Sequence, residues 1–412
     1  PGAPTRLAGE RWAAAALVVV AAARRSGRRG SASRAAAKRI KKDDGLPLGS
    51  TLAERREKFM ENLNKQYGEG TMVPMNKMVM EVETFSTGAM TLDLALGGGM
   101  PYGRVVELYG AEQSGKTTLA LHCIATVQKE GGYCAFVDAE YAMDKEYAGT
   151  IGVNDEMMHV INPTSAENAA DVIIKCAESG VYKLIVLDSV AALCPEEEME
   201  KSMDKMTMGL MARIMSKFMR KVTAPLSETG TTLILINQLR ANLGGYGLPE
   251  VTTGGNAIKY YSTVRCVIRS PKSGLVGPTD NPTGIRSKVT VTKNKLAAPH
   301  RIAEYEVTLG KGICWASSVL EAALNTGIMV MKGSWLEYNG VQEQGREKFT
   351  QRLREDSELL QKLEQDCRNP PAAEAEVAEE EEEEENEEQK EKVKEKKEKK
   401  EEKKEEKKEE KK

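Results

Sequence analysis

The segment Gly110-Ala111-Glu112-Gln113-Ser114-Gly115-Lys116-Thr117 fits the pattern G-x-x-x-x-G-K-[ST]. These residue types at this spacing suit the binding of a triphosphate. Glycine lets the backbone approach closely, and the N–H groups of the turn, with a helix N-terminus behind them, face the phosphate oxygens. In such a turn Lys116 neutralises the β- and γ-phosphates, and Thr117 offers its hydroxyl to Mg2+. Two carboxylates stand where they can join this chemistry. Leu184-Ile185-Val186-Leu187-Asp188 is an apolar run closing on an acid, the form expected of the carboxylate on the metal side. Ala135-Phe136-Val137-Asp138-Ala139-Glu140 ends in Glu140, which either orients and deprotonates an attacking water or serves as a structural cap. The residues alone leave both roles open.

Presenting these groups together takes strands that end beside one another. Val105–Tyr109 is a predicted strand entering the glycine-rich turn, and Lys116–Lys129 a predicted helix leaving it. Further strands are predicted at Ala135–Asp138, Leu184–Asp188, Thr232–Asn237, Val264–Arg269 and Lys288–Thr292. Several are nearly unbroken apolar runs, as expected of strands buried on both faces of a mainly parallel sheet. Their alternation with helical segments predicts an α/β domain wound on both faces. Before it, Asp43–Tyr67 reads as helical, with Ser50 as the expected cap and with Gly68 and Gly70 ending it. After it, residues 313–368 form a smaller helix-rich unit containing Trp315, Trp335 and Tyr338.

The net charge of −3 conceals unlike parts. Residues 1–42 carry 11 Lys and Arg against the single acid Glu10, whereas Glu374–Lys412 holds 20 Glu and 13 Lys. The stretch between is net acidic, so a globally basic nucleic-acid binder is excluded and any surface for a polyanion is a local patch. The seven cysteines show no CxxC spacing and there are three histidines, which argues against a disulfide framework or a Cys/His zinc site and favours a reducing compartment. The longest apolar run, Trp12–Ala23, has 12 residues where a bilayer span takes about 20, so no membrane partner is expected. Arg, Ala and Ser dominate the start of the chain, which reads as a targeting segment for an organelle, against a plain basic arm. The apolar run before the Arg/Ser-rich stretch favours the plastid, with the mitochondrion as the alternative. The Glu/Lys tail reads as a solvated low-complexity segment, either an electrostatic gate over a DNA-binding surface or a solubility tail.

Several further segments, taken in order, resemble the bacterial-type RecA recombinase family, here in an organellar form. They are Glu83–Gly88, Leu92–Gly99, Val137–Glu140, Leu187–Leu193, Met208–Arg213, Ile236–Gln238, Thr252–Ala257 and Lys293–Pro299, within a span from Leu52 to Tyr338. The resemblance implies a P-loop NTPase with a RecA-like α/β core, its mainly parallel twisted sheet flanked by helices, together with an N-terminal helix and a small α+β C-terminal domain. The expected organisation is a targeting segment (1–42), an N-terminal helix and linker for subunit assembly (43–80), the ATPase core (81–312), the small domain (313–370) and the charged tail (371–412). The implied cofactors are ATP and Mg2+. Gly110 through Thr118 hold the triphosphate, Thr117 and Asp188 the metal, and Asp144 and Tyr147 contact the adenine. In the same resemblance Glu140 activates water, Gln238 senses the γ-phosphate, and Lys293 and Lys295 reach into a neighbouring subunit's site.

Two segments resemble the family's DNA-binding loops: Glu196–Gly209, with Lys201 and Met208, and Arg240–Asn256, with Gly254 and Gly255. Arg213, Arg220, Lys259 and Arg265 also fall at matching positions, with phosphate or interface contact as their implied role. Met203 and Met206 are readable equally as core or as DNA wedge. The implied partners are single-stranded DNA, double-stranded DNA and further copies of the chain in a helical filament. The second loop is one residue shorter than the family pattern, the tail mixes Lys with Glu, and after Trp315 the resemblance is patchy. The leading expectation is a DNA-dependent ATPase that carries out homologous pairing and strand exchange on an organelle genome. A nucleotide-binding filament or scaffold paralogue without strand exchange is the alternative, and a zinc-finger repair ATPase is disfavoured by the missing CxxC pairs.

Overall fold

The structure, a computed structural model, describes residues 51–369 apart from 69, 78–81, 202–208, 242–249, 272–273 and 278–279. The expected targeting segment 1–42, residues 43–50, the tail 371–412, and Met203, Met206 and Met208 lie outside the described residues. The chain divides into two compact units, residues 1–80 and 81–412.

In the first unit, α1 spans Leu52–Tyr67. Its cap is Thr51, one residue after the predicted Ser50. The reason is local: Thr51 has Glu54 three positions on. The Thr51 hydroxyl accepts from Glu54 N at 3.3 Å, while a Glu54 carboxylate oxygen accepts from Thr51 N at 2.8 Å. No residue of α1 is buried, and Leu52 and Phe59 stand 86% and 55% exposed.

The second unit follows the order β1 (Thr84–Phe85), α2 (Met90–Leu96), β2 (Met100–Pro101), β3 (Val105–Gly110), α3 (Lys116–Lys129), β4 (Tyr133–Asp138), α4 (Lys145–Ile151), β5 (Met158–Ile161), α5 (Ala166–Ser179), β6 (Tyr182–Asp188), α6 (Glu196–Glu200) and α7 (Leu210–Thr229). It continues with β7 (Thr232–Ala241), β8 (Glu250–Thr252), α8 (Asn256–Tyr261), β9 (Val264–Arg269), β10 (Leu275–Val276), β11 (Gly284–Asn294), β12 (Ile302–Thr308) and β13 (Gly312–Ile313). Last come α9 (Trp315–Asn325), β14 (Met331–Lys332), β15 (Trp335–Tyr338), β16 (Val341–Gln344), α10 (Arg346–Glu355) and α11 (Ser357–Arg368).

The main sheet has the order β13-β12-β11-β9-β3-β7-β6-β4-β5, with β10 paired to β11 and β8 to β7. From β9 through β5 all neighbours are parallel, while β11, β12 and β13 add antiparallel strands at the other side. The predicted strands are all present, several of them longer than the apolar run that revealed them, since a ladder extends past the point where both faces are buried. Alternation along each strand divides the core in two. Val106, Leu108, Cys134 and Phe136 pack with α3, whereas Val105, Ala135 and Val137 pack with α5 and α7. The small C-terminal part wraps α9, α10 and α11 and the antiparallel hairpins β14–β16 around a third cluster that includes Val319, Phe349 and Leu363. Its strands are short, which is why the sequence reads as helix-rich there. Among the described residues no helix is long and apolar enough to cross a membrane.

One half-buried histidine couples the core to β13. His122 on α3 accepts from Ile313 N through Nε2 at 2.8 Å, which requires the neutral ring. Gly312 is needed beside it, because a Cβ there would stand 2.5 Å from Nε2. Burial, with Lys129 nearby, pulls the imidazole down from 6.5 to about 4. The unfolded chain therefore binds the proton more readily, and stability is lost as pH falls from about 6.5 towards 4, by about 3 kcal/mol in all. Buried Asp93, pushed up to about 6 chiefly by burial, acts in the opposite sense over much of this range, so a variant comparison is needed. His122→Gln should melt with a weaker loss between pH 7 and pH 4.5 than the parent chain. Equal losses would contradict this role.

Candidate nucleotide-binding site

The phosphate loop joins β3 to α3 at the carboxyl end of the parallel strands, where open α/β sheets bind ligands. Gly110 has no room for a side chain, since a Cβ would stand 2.2 Å from the Ile268 carbonyl oxygen. Gly115 takes φ +90 as the residue before α3, the left-handed conformation that glycine adopts without cost. The turn thereby aims the first free N–H groups of α3 into the loop.

Lys116 folds over this turn, its Nζ donating to the carbonyls of Ala111 at 2.6 Å and Gly110 at 3.3 Å. Burial lowers its pKa from the ordinary lysine value, opposed by the charges of Asp188, Glu140 and Glu112. Thr117 donates its hydroxyl to Asp188 Oδ2 at 2.6 Å. Asp188 is 7% exposed at the end of β6, and burial pushes its carboxyl up to about 6, with Glu140 adding to the rise. A hydroxyl and a carboxylate meeting on a half-closed site form the hard-oxygen donor set that suits Mg2+. The residues present therefore fit both groups, a triphosphate on the loop and a divalent cation at Thr117 and Asp188.

Glu140 lies just beyond β4 and is exposed. Its Oε1 accepts from Ser189 Oγ at 2.5 Å and from Gln238 Nε2 at 3.2 Å. The structure thus gathers residues separated by more than a hundred positions: Lys116, Thr117, Glu140 and Asp188 beside the ends of β3, β4 and β6, and Gln238 on β7 opposite the end of β3. Asp144 caps α4 by accepting from Tyr147 N at 3.0 Å, and the Tyr147 hydroxyl bonds Thr118 Oγ1 at 3.1 Å. Tyr147, Thr118, Ile285 and Leu309 line a cavity of about 400 Å3 that opens beside the loop.

Lys293 and Lys295 are placed elsewhere. Lys293 Nζ donates to the carbonyls of Lys259 at 2.7 Å and Tyr260 at 3.0 Å, and Lys295 Nζ to that of Tyr260 at 3.4 Å. Both ammonium groups thus rest on the carboxyl end of α8, where a helix favours cations.

Only the stems of the two candidate loops fall among the described residues. The first begins as α6, and Lys201 is paired with Glu197. Gly209, at φ 75, starts α7, which shows Arg213 and Arg220 on its exposed surface, Arg220 Nε also donating to Ser216 O at 3.2 Å. The second is a ribbon at its stems: β7 runs on past the sheet to pair with β8, matching Leu239 with Thr252 and Arg240 with Val251. Arg240 is exposed on this ribbon, while Gly254 and Gly255 lead into α8 at Asn256, with Lys259 on that helix.

Two further residues of the site, Ser189 and Glu107, were not expected from the sequence. Ser189 follows a catalytic-looking acid and has no signal of its own. Glu107 does have one: it is a charge inside an otherwise apolar strand.

Fold and site define a phosphate-loop nucleotide-binding protein built on a mainly parallel α/β sheet. The family model described as the RecA N-terminal domain matches residues 55–314, and that described as the RecA C-terminal domain matches residues 317–370. The chain is 46% identical over 312 residues to Protein RecA of Nostoc sp., covering 75% of this chain and 87% of that protein. It is 46% identical over 319 residues to Protein RecA of Prochlorococcus marinus, with 77% and 84% covered, and 42% identical over 334 residues to that of Synechococcus elongatus, with 79% and 93% covered. This chain belongs to the RecA family of recombinases. The second match extends the family likeness through the C-terminal part, where sequence reading found it patchy.

Proposed function

We propose that this chain is a DNA-dependent ATPase that forms a helical filament on single-stranded DNA, pairs it with homologous duplex and exchanges strands, in the repair of an organelle genome. One observation carries the reading. The Thr117–Asp188 contact and the Glu140–Gln238 contact lie at neighbouring strand ends, and Gln238 is on the strand that becomes the β7–β8 ribbon. Nucleotide chemistry and a candidate DNA surface thereby share one strand.

In this reading the loop amides and Lys116 hold the β- and γ-phosphates, and Tyr147 supports the base. Glu140, placed by Ser189, takes the proton of the attacking water. Bound Mg2+ supplies neutralisation of charge on the phosphates. Gln238 is close enough to Glu140 to register the γ-phosphate. Incubating the protein with ATP, circular single-stranded DNA and homologous linear duplex should yield joint molecules. A protein that binds ATP and DNA but forms none would be the scaffold alternative.

The assembly part of the proposal rests on α1. A helix of 16 residues is marginal alone in water, and its apolar stripe, Leu52, Phe59 and Leu63, needs a surface to cover it. Docking on the next copy of the chain gives a heterologous contact, which builds open helical filaments. Deleting residues 1–70 should leave a folded nucleotide-binding monomer with little turnover. Large polymers of the truncated protein, sedimenting with DNA and ATP, would contradict this.

The organelle part rests on the composition of residues 1–42, with the plastid favoured. Fused to a reporter, they should carry it into an organelle, whereas a reporter left diffuse in the cytosol would exclude targeting.

A further inference from the structure

Glu107 is fully buried in the middle of β3, and a buried carboxylate persists only when its oxygens are satisfied. Here each has its own donor. Oε2 accepts from Arg265 Nε at 2.5 Å and Oε1 from Asn237 Nδ2 at 3.0 Å. The Arg265 guanidinium is held again from above, 4.7 Å from the centre of the Tyr109 ring.

Asn237, also fully buried, uses every hydrogen-bonding position it has. Its second amide hydrogen goes to the Thr253 carbonyl at 3.0 Å. Its oxygen accepts from the Thr253 hydroxyl and from Gln238 N at 2.9 Å. A single amide therefore holds the backbone of Gln238 on one side and Thr253, where the β7–β8 ribbon returns, on the other. Thr253 has little freedom of its own. The next two residues are Gly254 and Gly255, and a Cβ on either would stand within 3.0 Å of Ile258 and Val190 or of Ala212. The same cluster reaches a third place, because Arg265 is paired with Lys293 across β9 and β11.

A fully satisfied buried network has few alternative arrangements. Anything that shifts the ribbon must shift the Asn237 amide or break its bonds, and anything that shifts Gln238 does the same. We propose that Asn237, anchored by Glu107, is the positioning residue that makes nucleotide contact at Gln238 and DNA contact at the ribbon depend on each other. This rests on the DNA-dependent ATPase reading above. In binding such a coupling is reciprocal and typically worth about 5- to 150-fold in affinity, whereas its effect on turnover need not be symmetric.

Asn237→Ala would leave buried Glu107 Oε1 without its donor and can simply fail to fold, so the test acts at the far end of the amide. Thr253→Val removes one hydroxyl and keeps the shape, while Thr253→Ser keeps the hydroxyl. ATP turnover is measured on the full chain at saturating poly-dT, over a range of ATP, with melting temperature as the check on folding. The expected result is a loss of about tenfold in the maximal DNA-stimulated rate of Thr253→Val, with half-saturating ATP within about twofold of the parent, and recovery of most of that rate in Thr253→Ser. The proposal is overturned if Thr253→Val equals the parent, if Thr253→Ser is as impaired as Thr253→Val, or if the loss vanishes once more DNA is added. A parent chain with no DNA stimulation at all would instead defeat the functional reading, and that is seen before any variant is compared.

Discussion

Lys116→Ala is expected to abolish ATP turnover and the DNA complexes that depend on ATP. In the structure the Lys116 ammonium is partly buried on the Gly110 and Ala111 carbonyls, with its pKa lowered by that burial. A cation held this way gains most from an anion arriving in the same loop. Its loss removes charge-assisted hydrogen bonds worth roughly 1.5–3 kcal/mol each, so nucleotide affinity should fall at least about tenfold. Turnover should fall further, because charge developing on the γ-phosphate loses its nearest neutralising group. Titration with a fluorescent ATP analogue and phosphate release measure the two effects. Full DNA-stimulated turnover in this variant would show that the loop is not the reacting site.

The second large effect separates binding from chemistry. Glu140→Gln keeps the shape and an oxygen that can accept from Ser189 Oγ, but not the basicity. ATP should still bind and hold the protein on DNA, while hydrolysis falls by roughly 10²-fold or more, the usual scale for a lost general base. The single-turnover rate is the measurement to make, since it excludes product release. A normal rate would leave Glu140 as the structural cap that its residue type also allows.

The reach of the sequence differs from element to element, for physical reasons. Strands β3, β4, β6, β7 and β9 are buried on both faces, so they are legible as apolar runs, and the acids closing β4 and β6 stand out against them. The phosphate loop is legible because its chemistry fixes both residue types and spacing. Strand β5 is not, because at the sheet edge it is only partly covered and its apolar pattern is weak. The hairpins β14–β16 are short and half exposed, and they hide among helical segments. The cap of α1 depended on one residue of offset, settled by which hydroxyl had Glu54 three positions on. The Asn237 network was out of reach for another reason. Its members Glu107, Asn237, Thr253 and Arg265 come from four separate segments and meet only through strand order. The placement of Lys293 and Lys295 on the α8 carbonyls is likewise a product of folding that spacing does not encode.

In the proposed function one strand, β7, joins nucleotide chemistry at Gln238 to a DNA surface on its ribbon. Phosphate release from ATP by the full chain, measured with and without single-stranded DNA, tests it most directly. Release should be slow without DNA and rise at least about tenfold with it, a lowering of the barrier by about 1.4 kcal/mol. The same rate in both conditions, from a protein shown to bind both ATP and the DNA, would contradict it.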